Sequence, residues 1–233
     1  MSKIKIAIQG ELGAYSHIAV ENLYQDAEIK TCSTFEDTFK LAYNDSSFKI
    51  VIPIENSLAG RVADIHYLLP KYKLQIHGEY FLPVIHNLLG KQDATFDDIK
   101  YVRSHAQAIS QCQKIITKEN FQPIISVDTA GSAKDLAEGK DKTIAAIASD
   151  LSAEMYNLKI LQKNIEDDKG NVTRFLIMGK NIEQPEFDSK KKYITSCIFR
   201  VKSEPSALYK CLGGFATNQV NLTKLESFSV KNT

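Results

Sequence analysis

The feature that most constrains this chain is an alternation of short apolar strands with amphipathic helices through its first 180 residues. KIAIQG (5–10) is an apolar run of strand length ending in a glycine, and ELGAYSH leads from it into the helical stretch IAVENLY. STFE, with Ser33 at its head, has the form of a capping box before FEDTFKLAYN, where Phe35, Phe39 and Ala42 share one face. KIVIPIEN (49–56) repeats the strand and runs into a polar loop, and YKLQIHGEYFLPVIHNLLG supplies further extended segments. SHAQAISQCQKII places Ala108, Ile109, Cys112, Ile115 and Ile116 along one helical stripe. VDTAGSAKDLAEG is another loop-to-helix junction, with Gly139 as its C-cap; TIAAIAS and SDLSAEMYNL add a strand and a helix. Such alternation predicts βαβ units and a largely parallel α/β sheet. Ligands bind sheets of this kind at the carboxyl ends of strands, where helix N-termini offer free N–H groups to anions.

Composition removes several classes of partner. A net charge of +1 gives no electrostatic ground for nucleic acid or an anionic membrane. No apolar run approaches the roughly 20 residues of a membrane span. MSKIKIAIQG enters a strand pattern without an export-type apolar region, so a cytoplasmic protein is expected. Cys32, Cys112, Cys197 and Cys211 form no CxxC pair and read as reduced structural thiols. The five histidines have no metal-ligand spacing, so no metal is expected.

The polar clusters carry the functional signal. NVTRFLIMG (171–179) puts Thr173 and Arg174 side by side at the head of an apolar run, and Arg174 is one of only four arginines. Taken singly, the clusters have plain structural readings. Ser104 with Gln107 forms a capping box, Thr129 caps the next helix, and Gly10 and Gly13 serve turns. His17 and His105 read as solvated caps, and Cys112 as core. Taken together, neutral hydrogen-bonding residues, two glycine-bearing loops, Glu55 and Arg174 converge on the ligand edge of a parallel sheet. That set suits a small anion held by backbone N–H groups and one guanidinium.

GELGAYSHIAV, IPIENSLAGRV, VRSHAQAISQC, DTAGSAK and NVTRFLIMG occur in the order and spacing of prephenate and arogenate dehydratases, a family this chain resembles along essentially its whole length. The tail YITSCIFRVKSEPSALYKCLGGFATNQVNLTKLES is similar to the start of that family's regulatory ACT domain. The resemblance implies an α/β, two-lobed catalytic domain like type II periplasmic binding proteins over 1–181. Lobe one would hold about 1–75 plus 165–181, and lobe two about 76–164. A linker at 182–192 would lead to a partial ACT segment, ferredoxin-like α+β, at 193–233. An ACT domain is βαββαβ, and the tail is expected to supply a strand, a helix and a second strand. The implied reaction is decarboxylating dehydration of prephenate to phenylpyruvate, without a cofactor; the alternatives are arogenate dehydration and a non-catalytic amino-acid or keto-acid sensor. By motif, the catalytic residues would be Thr173, Glu55, Ser104 and Gln111. Substrate would be bound by Asn56, Ser57, Thr129, Arg174 and Phe175. L-Phenylalanine as effector would meet Ala207, Leu208, Asn221, Leu222, Glu226 and Ser227, in a homodimer or homotetramer. One departure is Ala106, where the family commonly has proline.

The chemistry adds two needs. The leaving hydroxyl must gain a hydrogen bond or proton as its C–O bond breaks. The ring carboxylate, whose charge disappears, must not be gripped by a cation. Thr173 is the expected donor, Arg174 the anchor for the pyruvyl carboxylate, and Glu55 either an acid or a loop-shaping acceptor. Adjacent strand residues face opposite ways. The strand is therefore expected to begin at about Phe175, with the Thr173–Arg174 pair in the turn before it.

Overall fold

The computed structural model describes residues 3–181, 186 and 188–227. The chain divides into two units, 1–182 and 183–233. The first opens with β1 (Lys5–Gln9), α1 (Tyr15–Leu23), β2 (Glu28–Cys32), α2 (Phe35–Asn44) and β3 (Phe48–Asn56), followed by β4 (Gly60–Arg61), α3 (Ala63–Tyr72) and β5 (Gln75–Pro83). Next come β6 (Asn87–Gly90), β7 (Tyr101–His105), α4 (Ala106–Ser110), α5 (Gln113–Lys118) and β8 (Gln122–Ser126). They are followed by α6 (Thr129–Glu138), β9 (Ile144–Ala148), α7 (Asp150–Met155), β10 (Lys159–Gln162) and β11 (Val172–Gly179).

These strands make two mixed sheets, ordered β2-β1-β3-β11-β5 with β4 beside β3, and β10-β6-β9-β7-β8. The βαβ units are parallel as expected, β1 with β2 and β3, and β7 with β8 and β9. The sheets are mixed because β11 inserts antiparallel between β3 and β5, and β6 inserts antiparallel between β9 and β10. Since β5 pairs with β11, the first sheet runs on to Pro83 rather than stopping near residue 75.

The helices form where apolar spacing and caps agree, though not always with the expected cap. Thr34, rather than Ser33, caps α2 by accepting from Asp37 N. Phe39 and Ala42 of that helix are buried beneath Ile50, Ile52, Leu176 and Met178. On the other face of the same sheet, Ala19 and Val20 of α1 pack with Ile6, Ile8, Phe175 and Ile177. The second sheet buries Cys112, Ile115 and Ile116 with Leu88, Val102 and Ile147, so Cys112 is a core residue.

The loop after β1 fastens the first sheet to the helices of the second. Gly13 O accepts from both Ser149 Oγ (2.7 Å) and Ser152 Oγ (2.9 Å), and Leu12 O accepts from the Tyr156 hydroxyl (2.8 Å). Gly13 has φ +89°, and a Cβ there would lie 2.9 Å from Ser152 Cα, so only glycine fits. His17 is no solvated cap: it is buried, and its Nδ1 accepts from Gly13 N at 2.9 Å.

In the second unit the helix α8 (Ala207–Thr217) forms, and none of its residues is buried. The strands expected at YITSCIFRVK and VNLTKLESFSV are not present among the described residues. A strand needs a neighbour for its backbone groups, and a segment of about 40 residues buries too little apolar surface to supply one by itself. Phe228 and Ser229, which follow the expected effector residues Glu226 and Ser227, lie outside the described residues.

Candidate active site

β11 decides the geometry. It begins at Val172, not Phe175, because the ladder extends past the expected start: Thr173 pairs with Asn56 on β3 and Leu82 on β5, and Arg174 with Glu55 and Phe81. Thr173 and Arg174 therefore lie within the strand, on opposite faces of the sheet, and the register with β3 shifts only after them, between Arg174 and Phe175. The face is readable from the core: Phe175 and Ile177 pack against α1, and Leu176 and Met178 against α2 and α3.

On Thr173's face the side chains are neutral and hydrogen-bonded in series. Asn56 Nδ2 donates to Thr173 Oγ1 (2.9 Å) and to Asn171 Oδ1 (2.6 Å). Asn171 Nδ2 donates to Gln111 Oε1 at 2.9 Å. That oxygen also lies 2.9 Å from His86 Nε2, and His86 Nδ1 lies 2.8 Å from the Tyr15 hydroxyl. At the other end Asn56 Oδ1 accepts from Leu58 N (3.1 Å) and Ala59 N (2.9 Å). Burial lowers the pKa of His86, against an opposing pull from Gln111 and Glu166, and burial raises that of Tyr15 well above its ordinary value. Both groups are thus held neutral.

Arg174's face is charged. Its Nε and Nη2 reach Glu79 Oε2 at 2.7 and 2.6 Å, and its Nη1 reaches Glu55 Oε1 at 3.1 Å. The expected anchor and the expected acid are therefore partners of one another. The guanidinium also stands 5.9 Å from the ring centroid of the half-exposed Phe81.

Other matched residues serve the scaffold. Ser57 Oγ donates to Gly170 O (3.0 Å) and accepts from Val172 N (2.9 Å), clamping the loop after β3 to the start of β11. Phe175 is 1% exposed and belongs to the core, where strand alternation puts it. Ser104 lies in β7, fully buried, and donates to Ile147 O at 2.6 Å. The α4 cap is His105, whose Nδ1 accepts from Gln107 N. Thr129 opens α6, but the cap is Asp128, accepting from Gly131 N at 2.6 Å. Glu55, Asn56, Thr173, Arg174 and Gln111 are thus brought into two adjacent groups, while Ser104 and Phe175 are engaged in the core and Thr129 stands at the start of α6.

Three members of the neutral chain were not singled out from sequence: Asn171, His86 and Tyr15. Asn171 stood one position before the strand start and His86 inside PVIHNLLG, between two extended segments. For His86 the available signal was a polar residue breaking an apolar run.

Two mixed sheets with a polar group at strand ends are the architecture of an α/β protein that handles a small ligand. The family described as Prephenate dehydratase matches residues 6–183. A bifunctional N-acyl-homoserine lactone acylase/prephenate dehydratase of Komagataeibacter europaeus is 39% identical over 231 residues, 98% of this chain and 81% of that protein. A prephenate dehydratase of Methanocaldococcus jannaschii is 40% identical over 221 residues, 92% of this chain and 79% of that protein. An arogenate dehydratase/prephenate dehydratase of Arabidopsis thaliana is 38% identical over 226 residues; the chain spans 59% of it. A solved prephenate dehydratase of Arthrobacter aurescens superposes with a TM-score of 0.86 over 98% of this chain and 76% of that one; at 24% identity it speaks to the fold, which is the two-lobed, periplasmic-binding-protein-like one. The chain belongs to the prephenate dehydratase family. It is a lyase acting in phenylalanine synthesis, converting prephenate to phenylpyruvate with loss of water and carbon dioxide.

Proposed function

We propose that this reaction takes place at the neutral face of β11, with Thr173 as the hydrogen-bond donor to the leaving hydroxyl. The observation that carries it is the direction of the bonds around Asn56. Two backbone N–H groups fix Asn56 Oδ1 as acceptor, so its NH₂ group must face Thr173 Oγ1 and Asn171 Oδ1. Thr173 then accepts from Asn56, which leaves its own proton to be donated elsewhere. In the reaction the ring C–O bond breaks and the hydroxide takes up a proton to leave as water. The C–C bond to the ring carboxylate breaks with it, its electron pair completes the aromatic ring, and carbon dioxide departs. A threonine hydroxyl is too weak an acid to supply that proton outright, so its part is to orient and polarise the leaving group while solvent supplies the proton. The amides, hydroxyl and imidazole around it impose no cation on the ring carboxylate, whose charge must vanish.

Arg174 fits a different task, holding Glu55 and Glu79 and stiffening β3, β11 and β5. It meets the pyruvyl carboxylate only by exchanging one of those partners. An L-phenylalanine site at Ala207, Leu208, Asn221, Leu222, Glu226 and Ser227 is supported by motif likeness in the second unit. A homodimer or homotetramer is supported by the exposed Ile194 and Tyr209 there. A cytoplasmic location fits four free thiols.

The test is the ultraviolet assay for phenylpyruvate from prephenate, run beside product analysis with arogenate, with and without L-phenylalanine. Turnover of prephenate is expected. Product from neither substrate would favour the non-catalytic sensor.

A further inference from the structure

We propose that His86 is a positioning residue for the reaction, held as the Nε2–H tautomer so that Gln111, Asn171 and Asn56 keep the Thr173 hydroxyl turned toward its substrate. This rests on the reading that Thr173 is the donor. The argument is one of counting hydrogens along a chain whose far end is locked.

An amide oxygen only accepts and an amide nitrogen only donates. Leu58 N and Ala59 N fix Asn56 Oδ1, so Asn56 Nδ2 donates to Asn171 Oδ1. Asn171 must then present its NH₂ to Gln111, so Gln111 presents its oxygen. That same oxygen lies 2.9 Å from His86 Nε2, and two acceptors cannot share that distance. His86 therefore carries hydrogen on Nε2. Its Nδ1 is left to accept, and the single Tyr15 hydroxyl proton is shared between it at 2.8 Å and Ile85 O at 2.7 Å as a bifurcated bond.

The opposite tautomer propagates. With hydrogen on Nδ1, Gln111 must turn its NH₂ to His86, and Asn171 must turn its oxygen to Gln111. Asn171 would then point NH₂ at Asn56 NH₂, which the backbone prevents from turning. The conflict ends beside Thr173.

The surroundings hold His86 in place. It is 2% exposed, its backbone N–H donates to Glu166 Oε2 at 3.0 Å, and its ring meets Tyr15 edge-on at 5.7 Å between centroids. The titratable groups around it are Tyr15 and Glu166, with Cys112, Asp150 and Glu166 in turn facing Tyr15.

Two measurements decide the matter. In wild-type protein labelled with ¹⁵N-histidine, NMR is expected to show His86 as the Nε2–H tautomer at neutral pH; the Nδ1–H tautomer would overturn the proposal without any variant. In kinetics, His86→Gln puts an amide nitrogen near the Nε2 position, and His86→Asn puts one near Nδ1. His86→Asn is expected to lose about 10–100-fold in kcat with KM within about threefold, and His86→Gln to recover to within about fivefold of wild type. Equal kcat in the two variants would overturn it. If the wild type turns over neither prephenate nor arogenate, the Thr173 reading falls, while the tautomer result still stands alone.

Discussion

The two faces of β11 differ in kind although their residues are neighbours in sequence. Thr173 looks onto a series of neutral groups whose hydrogen bonds run from backbone N–H through Asn56 and Asn171 to Gln111, which also accepts from His86. Arg174 looks onto two carboxylates, in a cluster with side chains 19–30% exposed. The neutral face fixes the direction of a hydroxyl proton, which a charged cluster with exchangeable partners does less sharply. The charged face ties three strands together, at a partly exposed place where ion pairs are worth little each. The difference teaches that a reaction consuming a carboxylate charge is better served by oriented dipoles than by a cation.

Ways to break this comparison follow in order of effect. Phe175→Ala removes the buried ring that anchors the strand between the faces. It is expected to cost about 3–5 kcal/mol of stability, measured by urea unfolding, and to disturb both faces together. Asn56→Asp replaces the donor facing Thr173 with an acceptor, so Thr173 would donate to it instead of to substrate. kcat is expected to fall roughly 100-fold with KM within about threefold, read from steady-state kinetics. Arg174→Leu strips the charged face alone and leaves two carboxylates without it. A loss of about 1–3 kcal/mol in stability is expected, with kcat changed less than about tenfold. A kcat loss as large as that of Asn56→Asp would show that the charged face does the chemistry.

Acid affects the scaffold more gently. Burial lowers the pKa of His17, His77 and His86, so the fold favours their neutral forms. Their stabilisation is present above the unfolded value of about 6.5 and is lost as pH falls through the lower folded values. Tm is expected to decline from pH 7 toward pH 5, and less so in His86→Gln, as scanning calorimetry would show.

Sequence reading reached the elements better than their partners. Apolar periodicity located β1, β3, β9 and α2, because a buried face repeats locally. It placed the start of β11 too late, because Thr173 is polar and yet sits in the ladder between Asn56 and Leu82. It likewise read Ser104 as a cap where β7 carries it into the core. The pairing of Arg174 with Glu79 and of Gln111 with His86 joins distant segments, and no local period records such contacts. The tail patterns read as strands, but pairing depends on neighbours that a pattern does not supply.

The central claim is that the Thr173 hydroxyl, directed by Asn56, assists the leaving group. It is tested most directly by comparing Thr173→Val with Thr173→Ser on prephenate. Valine keeps the shape without the hydroxyl and is expected to lose at least about 100-fold in kcat with KM within about threefold, whereas serine stays within about tenfold of wild type. A valine variant with near wild-type kcat, or one changed only in KM, would contradict the account.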